Sequence, residues 1–258
     1  MRNETPISVR FFAYLLTNMT TTNPPEKEPY YGDLQKTQIL SDLFAISRQA
    51  RDDKWQQDVI TNLADASFRC GDPQLLTGPG GFPYFQLFIP EQNQPFECYV
   101  LSHMVDDFLF ERGWGVVINL RDNQPDWLLT YGDVVNYKIN KEFYTAPQVT
   151  DLPPAGIIDK EEQVLVGQPS DLLLPPAVRN AMREYLQYHG HTDVKIVLLS
   201  RHTPQGPVQQ LIFNLTPDQF EDEEKYQAFT QSLGWFMPHH YLFGAMEEKV
   251  FKGQFAAL

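Results

Sequence analysis

A proline-rich break in the middle of the chain constrains its fold more than any other feature. The segment from Pro147 to Pro169 contains four prolines, counting both ends, and its hydrophobic periodicity is weak apart from the short run Val164–Val166. Proline lacks an amide donor and stiffens the backbone, so it suits a connector better than a central strand. Helix and strand patterns stop after Tyr144 and resume at Pro175. The sequence therefore predicts two folded units joined by a connector.

The connector sets the expected domain boundaries. We place the boundary near Pro153-Pro154, with an N-terminal domain over residues 1–150 and a C-terminal domain over residues 160–258. Each part is long enough to bury a core of ordinary size. Because 13% of the residues are aromatic and need burial, we expect most of the chain to fold.

The first third of the chain predicts helices. Residues 1–22 fit a helix or a strand equally well. Asp33 is a good N-cap for the helix that follows it, and apolar residues then recur every three or four positions. That stripe comprises Ile39, Leu40, Leu43, Phe44, Trp55, Val59, Leu63 and Ala66. It fits one amphipathic helix, or two helices with a break at the polar run 51–54. The glycines and prolines of Gly71–Pro83 predict irregular structure.

Two helix-plus-hairpin patterns follow. In the first, a strand at Tyr84–Ile89 precedes a helix that opens at Pro95 and ends at Gly113, and the hairpin strands are Val116–Leu120 and Trp127–Tyr131. In the second, a helix from Pro175-Pro176 to Gly190 precedes strands Val194–Leu199 and Val208–Leu215. Thr216-Pro217-Asp218-Gln219 then forms a capping box for a helix that runs to Leu233. The predicted fold class is α+β.

The two patterns share the order helix, strand, turn, strand. Corresponding elements are offset by roughly eighty residues, but few side chains are identical. An internal repeat and a coincidence of a common α+β unit both explain this similarity.

The charge of the chain excludes some partners. It has 33 acidic and 20 basic side chains, a formal net charge of −13, with no basic stripe. Such a field repels phosphate backbones and anionic lipids, so we expect no nucleic-acid partner and no membrane partner. The apolar run Phe11–Leu16 is too short for a signal peptide or a membrane span. We expect a soluble bacterial protein of the cytoplasm, with Cys70 and Cys98 as free thiols.

One motif suggests metal chemistry. His189-Gly190-His191-Thr192-Asp193 has the H-x-H-x-D form of the zinc-binding motif of the metallo-β-lactamase superfamily. It lacks the histidine that normally follows the aspartate. It also lies after a predicted helix, whereas the superfamily's motif follows a strand. The alternative is that His189 ends the helix and Gly190 caps it. We therefore expect no metal and no other cofactor, with a metal-dependent hydrolase using His189, His191 and Asp193 as the alternative.

No other pattern indicates catalysis. The chain has no nucleophile elbow, no pair of cysteines with metal-binding spacing and no phosphate-binding loop. Two aromatic segments are candidates for a partner surface, because aromatic side chains often dominate interfaces. Their residues are Trp127, Tyr131, Trp235, His239, His240 and Tyr241. Both segments also fit an ordinary core.

Part of the C-terminal domain resembles a known family. The segment Val166-Gly167-Gln168-Pro169, the helix from Pro176 and the hairpin that follows are similar to the C-terminal domain of SseB-like bacterial proteins, over residues 164–246. That family pairs two α+β domains and has no established catalytic role. The resemblance implies an interaction protein and no functional residues. We therefore expect a non-catalytic module that binds or regulates another protein or a peptide.

Overall fold

The computed structural model describes residues 31–91, 93–146, 164–203, 206–251 and 253–258. The chain divides after Lys138 into two compact units, unit 1 ending there and unit 2 beginning at Ile139. The predicted boundary at Pro153-Pro154 lies outside the described residues, as does the segment 1–22. The predicted fold class, α+β, is confirmed, because each unit combines helices with a mixed sheet.

In the described part of unit 1, two helices come first. Helix α1 spans Leu34–Ala45 and α2 spans Asp53–Leu63. Each has an aspartate N-cap: the Asp33 side chain accepts a hydrogen bond from the amide of Gln35 at 2.8 Å, and the Asp52 side chain accepts one from the amide of Trp55 at 2.8 Å. The predicted cap at Asp33 is confirmed, and of the two alternatives for the apolar stripe the structure shows two helices.

The sheet of unit 1 has five strands among the described residues. They are β1 (Ser67–Thr77), β2 (Pro83–Phe88), β3 (Tyr99–Val100), β4 (Gly115–Ile118) and β5 (Trp127–Leu129), in the order β3-β1-β2-β4-β5. The pair β2–β4 is parallel, and the pairs β1–β3, β1–β2 and β4–β5 are antiparallel. The predicted hairpin of β4 and β5 is therefore confirmed.

Helix α3 crosses over between β2 and β4. It consists of the consecutive segments Leu101–Met104, Val105–Leu109 (a π-helical turn) and Phe110–Arg112. It ends at Gly113, whose φ of 68° is left-handed, as the sequence predicted. It begins later than predicted, since Pro95 precedes its first turn by six positions.

Two other predictions for unit 1 were wrong. Gly71–Pro83 is not all irregular, because β1 continues to Thr77 through a register shift between Cys70 and Leu75 that accommodates Pro73. Tyr131 is not in a strand but begins helix α4, Tyr131–Asn140. The side chain of Asp133 accepts a hydrogen bond from the amide of Thr130 at 2.7 Å, and the amide of Asp133 donates to the Thr130 hydroxyl at 3.2 Å. This reciprocal cap starts the helix.

Unit 2 contains a second mixed sheet. Its strands are β6 (Val164–Gly167), β7 (Lys195–Thr203), β8 (Gly206–Phe213), β9 (Leu242–Ala245) and β10 (Ala256–Ala257). The order is β10-β7-β8-β9, and β6 also pairs with β7. The predicted hairpin of β7 and β8 is confirmed as antiparallel, whereas β8 and β9 are parallel.

Two helices accompany this sheet. Helix α5 spans Pro176–Tyr188 and is followed by Gly190, with φ of 89°, and α6 spans Glu223–Ser232. The predicted capping box at Thr216 exists, but it closes a separate 3-10 turn, Pro217–Gln219. Helix α6 has its own cap, the Asp222 side chain, which accepts from the Lys225 amide at 2.7 Å. Further 3-10 turns are Arg48–Ala50, Pro79–Gly81, Leu233–Phe236 and Glu248–Phe251.

The two units share an element order. Unit 1 has α2, β1, β2, α3 and β4; unit 2 has α5, β7, β8, α6 and β9. In each, the first two strands are antiparallel and the third strand is parallel to the second. Corresponding elements of this longer match lie roughly 125 residues apart. The predicted offset of roughly eighty compares other elements, namely α3 and the hairpin β4–β5 with α5 and the hairpin β7–β8, which the structure also contains.

Candidate functional site

Strand β9 forms one edge of the sheet in unit 2. It pairs with β8, with Gln210 opposite Leu242 and Phe213 opposite Ala245. Among the described residues, no strand pairs with its other edge. Leu242, Phe243 and Ala245 are half-buried, so the strand is not sealed in the core.

The backbone of β9 presents hydrogen-bonding groups on that free edge. The amide of Met246 donates to the carbonyl of Phe213 at 2.9 Å, so it points toward β8. Successive amides of a strand point to opposite sides. The amides and carbonyls of Phe243 and Ala245 therefore point away from β8, where backbone groups need partners from water or from another chain segment.

In unit 1, the corresponding strand is β4, and its outer edge pairs with another strand. The amide of Asn119 donates to the carbonyl of Leu87 at 2.9 Å, matching the bond from Met246 to Phe213. On its opposite edge, the Ile118 carbonyl accepts a hydrogen bond from the amide of Asp126 at 3.0 Å, where β5 pairs with β4. By this correspondence, Ala245 has the position of Ile118 and Phe243 that of Val116. Unit 2 lacks a described counterpart of β5.

The Phe243 ring lies close to Gly234. A Cβ on Gly234 would lie 3.2 Å from the Phe243 ring, which is closer than ordinary van der Waals contact. Gly234 lies in the 3-10 turn Leu233–Phe236, whose side chains at Leu233, Trp235 and Phe236 are buried. The turn therefore lies next to the Phe243 side chain of β9.

Three predicted partner residues lead into β9. His239 is exposed and its ring lies 6.3 Å from that of Tyr144. His240 and Tyr241 are half-buried, with their rings edge-to-face at 4.8 Å. The Nδ1 atom of His240 is buried and has no hydrogen-bond partner among the described residues. Burial, and then the charge of His239, lowers the pKa of His240, and burial raises the pKa of Tyr241 to about 12.

Of the other three predicted partner residues, two are buried and one is half-buried. Tyr131 is fully buried and donates a hydrogen bond from its hydroxyl to the Phe110 carbonyl at 2.7 Å. Trp235 is also buried. Trp127 is half-buried in β5, with its ring centroid 5.6 Å from that of Trp55. Of the six predicted partner residues, His239, His240 and Tyr241 are those that immediately precede β9, and they are exposed or half-buried.

The residues of the H-x-H-x-D motif lie in a different part of unit 2. The His189 ring packs on Tyr185 at 4.5 Å, and the His191 ring lies 4.9 Å from Phe220 and 4.7 Å from Phe229. Burial lowers the pKa of both histidines. Asp193 instead points to Lys195, with its Oδ2 at 3.6 Å from Nζ.

The structure does not assemble this motif into a metal site. The described part of the chain contains no group of three or more His, Cys, Asp or Glu side chains that could hold a metal ion. The motif instead lines an open cleft of about 750 Å³. Glu248 lies in the same cleft and accepts hydrogen bonds from Asn214 and Lys195, which lower its pKa in that order.

Sequence reasoning missed β9 and its free edge. The strand has only four residues, one of them glycine, and shows no alternation of apolar and polar side chains. A short strand of this kind becomes recognisable through its partner β8.

Among the described residues, no helix is both long and apolar enough to cross a bilayer.

Comparison with protein-family models, with curated protein sequences and with solved structures found no match to this chain.

Proposed function

We propose that this chain is a non-catalytic binding module that takes up an extended segment of another protein, or a peptide, as an added strand on β9. The observation behind the proposal is the contrast between two corresponding edges. The outer edge of β4 is paired by β5, whereas the outer edge of β9 has no described strand. An exposed strand edge of this kind is a known template for peptide addition.

The size of the edge limits the affinity that backbone bonding can supply. Phe243 and Ala245 each offer one amide and one carbonyl, and each hydrogen bond contributes about 0.5–1.5 kcal/mol net. Main-chain pairing alone therefore supports only weak binding, so side-chain contacts with the neighbouring Phe243, His240 and Tyr241 must add to it. The resemblance to SseB-like proteins, which implies an interaction protein, is in keeping with this role.

A proline at position 245 tests the proposal. The Ala245 amide points away from β8, so Ala245→Pro removes one donor of the free edge and leaves the β8–β9 ladder intact. Ala245→Val is the matched control, because it keeps the amide. The measurement is the affinity of both variants for peptides selected from a random displayed library on the full chain.

We expect Ala245→Pro to weaken the binding of the selected peptides by about tenfold or more. Ala245→Val should change their affinity much less. Both variants should unfold like the parent chain by circular dichroism. Equal binding to all three proteins, or a selection that yields no binding peptide, contradicts strand addition at β9.

A further inference from the structure

We propose that the edge of the unit 2 sheet away from β9 is a second peptide-binding site, where the chain's own segment Gln254–Leu258 lies as an internal ligand. A peptide from another protein takes the place of this segment when the segment opens. The ligand class is an extended peptide with an aromatic residue, two small residues and a leucine whose free carboxylate binds Arg183. The site uses β7 and α5 instead of β9, so it is independent of the function proposed above.

The segment is bound through its main chain. Strand β10 pairs antiparallel with β7, with Ala256 opposite Ile196. The amide of Leu258 donates to the carbonyl of Val194 at 3.3 Å, so it points toward β7. Alternate amides of a strand point the same way, and the amide of Ala256 therefore also points toward β7. The segment lies on this edge as a peptide does when it adds a strand to a sheet.

Two side chains anchor the segment. Phe255 is half-buried and packs against an apolar cluster that contains Val197, Leu199, Ile212 and Met246. Leu258 is 4% exposed, whereas the two alanines between the anchors are exposed. Because successive side chains of a strand point to opposite faces, Phe255 and Leu258 lie on opposite faces of the sheet. In a peptide bound as an added strand, main-chain hydrogen bonds supply affinity and side-chain anchors supply specificity, and this segment has both.

Arg183 of α5 binds the last residue of the segment. Its Nε atom donates to the Leu258 carbonyl oxygen at 2.9 Å, and Nη2 donates to the same oxygen. Nη1 donates to Oδ1 of Asn180 at 2.8 Å. No Asp or Glu side chain of the described residues forms an ion pair with this guanidinium. A guanidinium is a fork of donors that matches a carboxylate. Two donors on one oxygen, without a carboxylate side chain beside them, therefore indicate that the site recognises a ligand carboxylate.

A hinge precedes the segment. Gly253 is exposed and has a φ of 73°, and a Cβ there would meet no atom within 4 Å beyond its chain neighbours. After this glycine, only two residues lie in a strand, and the Gln168 side chain donates one hydrogen bond of 2.5 Å to the Gln254 carbonyl. A short attachment of this kind opens at a lower free energy than the whole fold. Because the tether holds the segment at a local concentration of about millimolar, the segment competes with any peptide from outside.

Fluorescein-labelled hexapeptides with the sequence of residues 253–258 test the site by fluorescence anisotropy with the full chain. One hexapeptide ends in a free carboxyl group and the other in an amide. The release variant, Phe255→Ser with Leu258→Ser, removes both anchors of the internal segment. We expect it to bind the free acid more tightly than the parent chain does, by about tenfold or more, because the internal competitor is lost. The amide should bind the release variant about tenfold more weakly than the acid, because Arg183 then meets no carboxylate.

Substitutions in α5 and β9 serve as controls. In the release variant, Arg183→Gln should remove the difference in affinity between the acid and the amide. Gln187→Ala, at an exposed position of the same helix, should retain that difference. Ala245→Pro should leave hexapeptide binding unchanged, since this site does not use the edge of β9. Loss of hexapeptide binding in Ala245→Pro would place the hexapeptide on β9 and contradict the second site.

Equal binding of the free acid by the parent chain and the release variant contradicts an internal ligand. Equal binding of acid and amide contradicts carboxylate recognition by Arg183. If circular dichroism shows that the release variant does not fold, hydrogen exchange of the parent chain decides. The free acid, at about millimolar concentration, should accelerate exchange of the amides of Ala256 and Leu258, because it displaces the segment from β7. Exchange that the hexapeptide leaves unchanged overturns the second site.

Discussion

Asn214 and Glu248 are joined by a hydrogen bond of 2.7 Å from Nδ2 to Oε1. This bond links the residue after β8 to the 3-10 turn that follows β9. Asn214 is buried, and its Oδ1 also accepts a hydrogen bond from the amide of Lys195 at 2.7 Å, while Nδ2 donates to the carbonyl of Asp193 at 3.1 Å. One side chain therefore ties together three segments of unit 2.

Replacing Asn214 should destabilise the protein. Asn214→Ala leaves the Lys195 amide and the Asp193 carbonyl without this partner, at a cost of about 1–3 kcal/mol. The measurement is the free energy of unfolding in urea. Asn180→Ala, at an exposed position of α5, is the control and should change it by less than about 0.5 kcal/mol. Equal effects of the two substitutions contradict a structural role for Asn214.

Part of the protein's stability should depend on the ionisation of the Glu248 carboxyl group. Hydrogen bonds from Asn214 and then Lys195 hold its pKa below the ordinary value of 4.5. A carboxylate with a lowered folded-state pKa stabilises the fold above the unfolded value and loses that contribution as the pH falls through the folded value. Glu248→Gln should therefore reduce the loss of Tm below pH 4.5. Glu224→Gln, an exposed position in α6, should leave the acid profile unchanged.

His189 and His191 should add a second loss of stability on acidification, beginning at higher pH than that of Glu248. Burial lowers the pKa of both below the ordinary value of 6.5. The unfolded chain then binds protons before the folded chain does, so stability falls as the pH drops below 6.5. His191→Phe keeps the ring contacts with Phe220 and Phe229 and should flatten this part of the Tm profile. The exposed His202→Gln is the control, and a profile that His191→Phe leaves unchanged contradicts the assignment.

Cys70 should react slowly with alkylating reagents. Both cysteines are free thiols. Burial, followed by the charge of Glu97, raises the pKa of Cys70, which lowers its thiolate fraction at neutral pH. We expect Glu97→Gln to accelerate alkylation of Cys70 by iodoacetamide, measured by mass spectrometry of the digested protein. Glu91→Gln should not, and a peptide linking Cys70 to Cys98 by a disulfide contradicts the expectation of separate thiols.

The proline-rich sequence should mark a boundary between independently folding parts. We expect limited proteolysis to cut first between Thr145 and Gln163. The C-terminal fragment should stay folded by circular dichroism and melt cooperatively, because unit 2 has its own sheet and core. Residues 160–258 expressed alone and found unfolded would show that the two units need each other.

The sequence by itself determined the local elements whose signals lie within a few residues. Asp33 was recognised as a helix cap because a short side-chain acceptor next to free amides is a local arrangement. Gly113 and Gly190 end helices because a left-handed backbone favours glycine. The hairpins β4–β5 and β7–β8 were found for the same reason, since each joins neighbouring strands. The helix α4 could also have been found, because the Thr130–Asp133 cap is readable in the sequence.

Tertiary structure decided what depends on distant pairing. The parallel pairs β2–β4 and β8–β9 join strands that are separated in the chain by a helix, and no local sequence pattern predicts this pairing. β9 is a strand because it hydrogen-bonds to β8. No described strand pairs with the opposite edge of β9, to which the backbone groups of Phe243 and Ala245 point, whereas β5 pairs with the corresponding edge of β4. Likewise, Tyr131 and Trp235 read as surface or core from sequence alone, and only the packing around them placed both in the core. Periodicity reports which side of an element is apolar, but the partner that covers it comes from elsewhere in the chain.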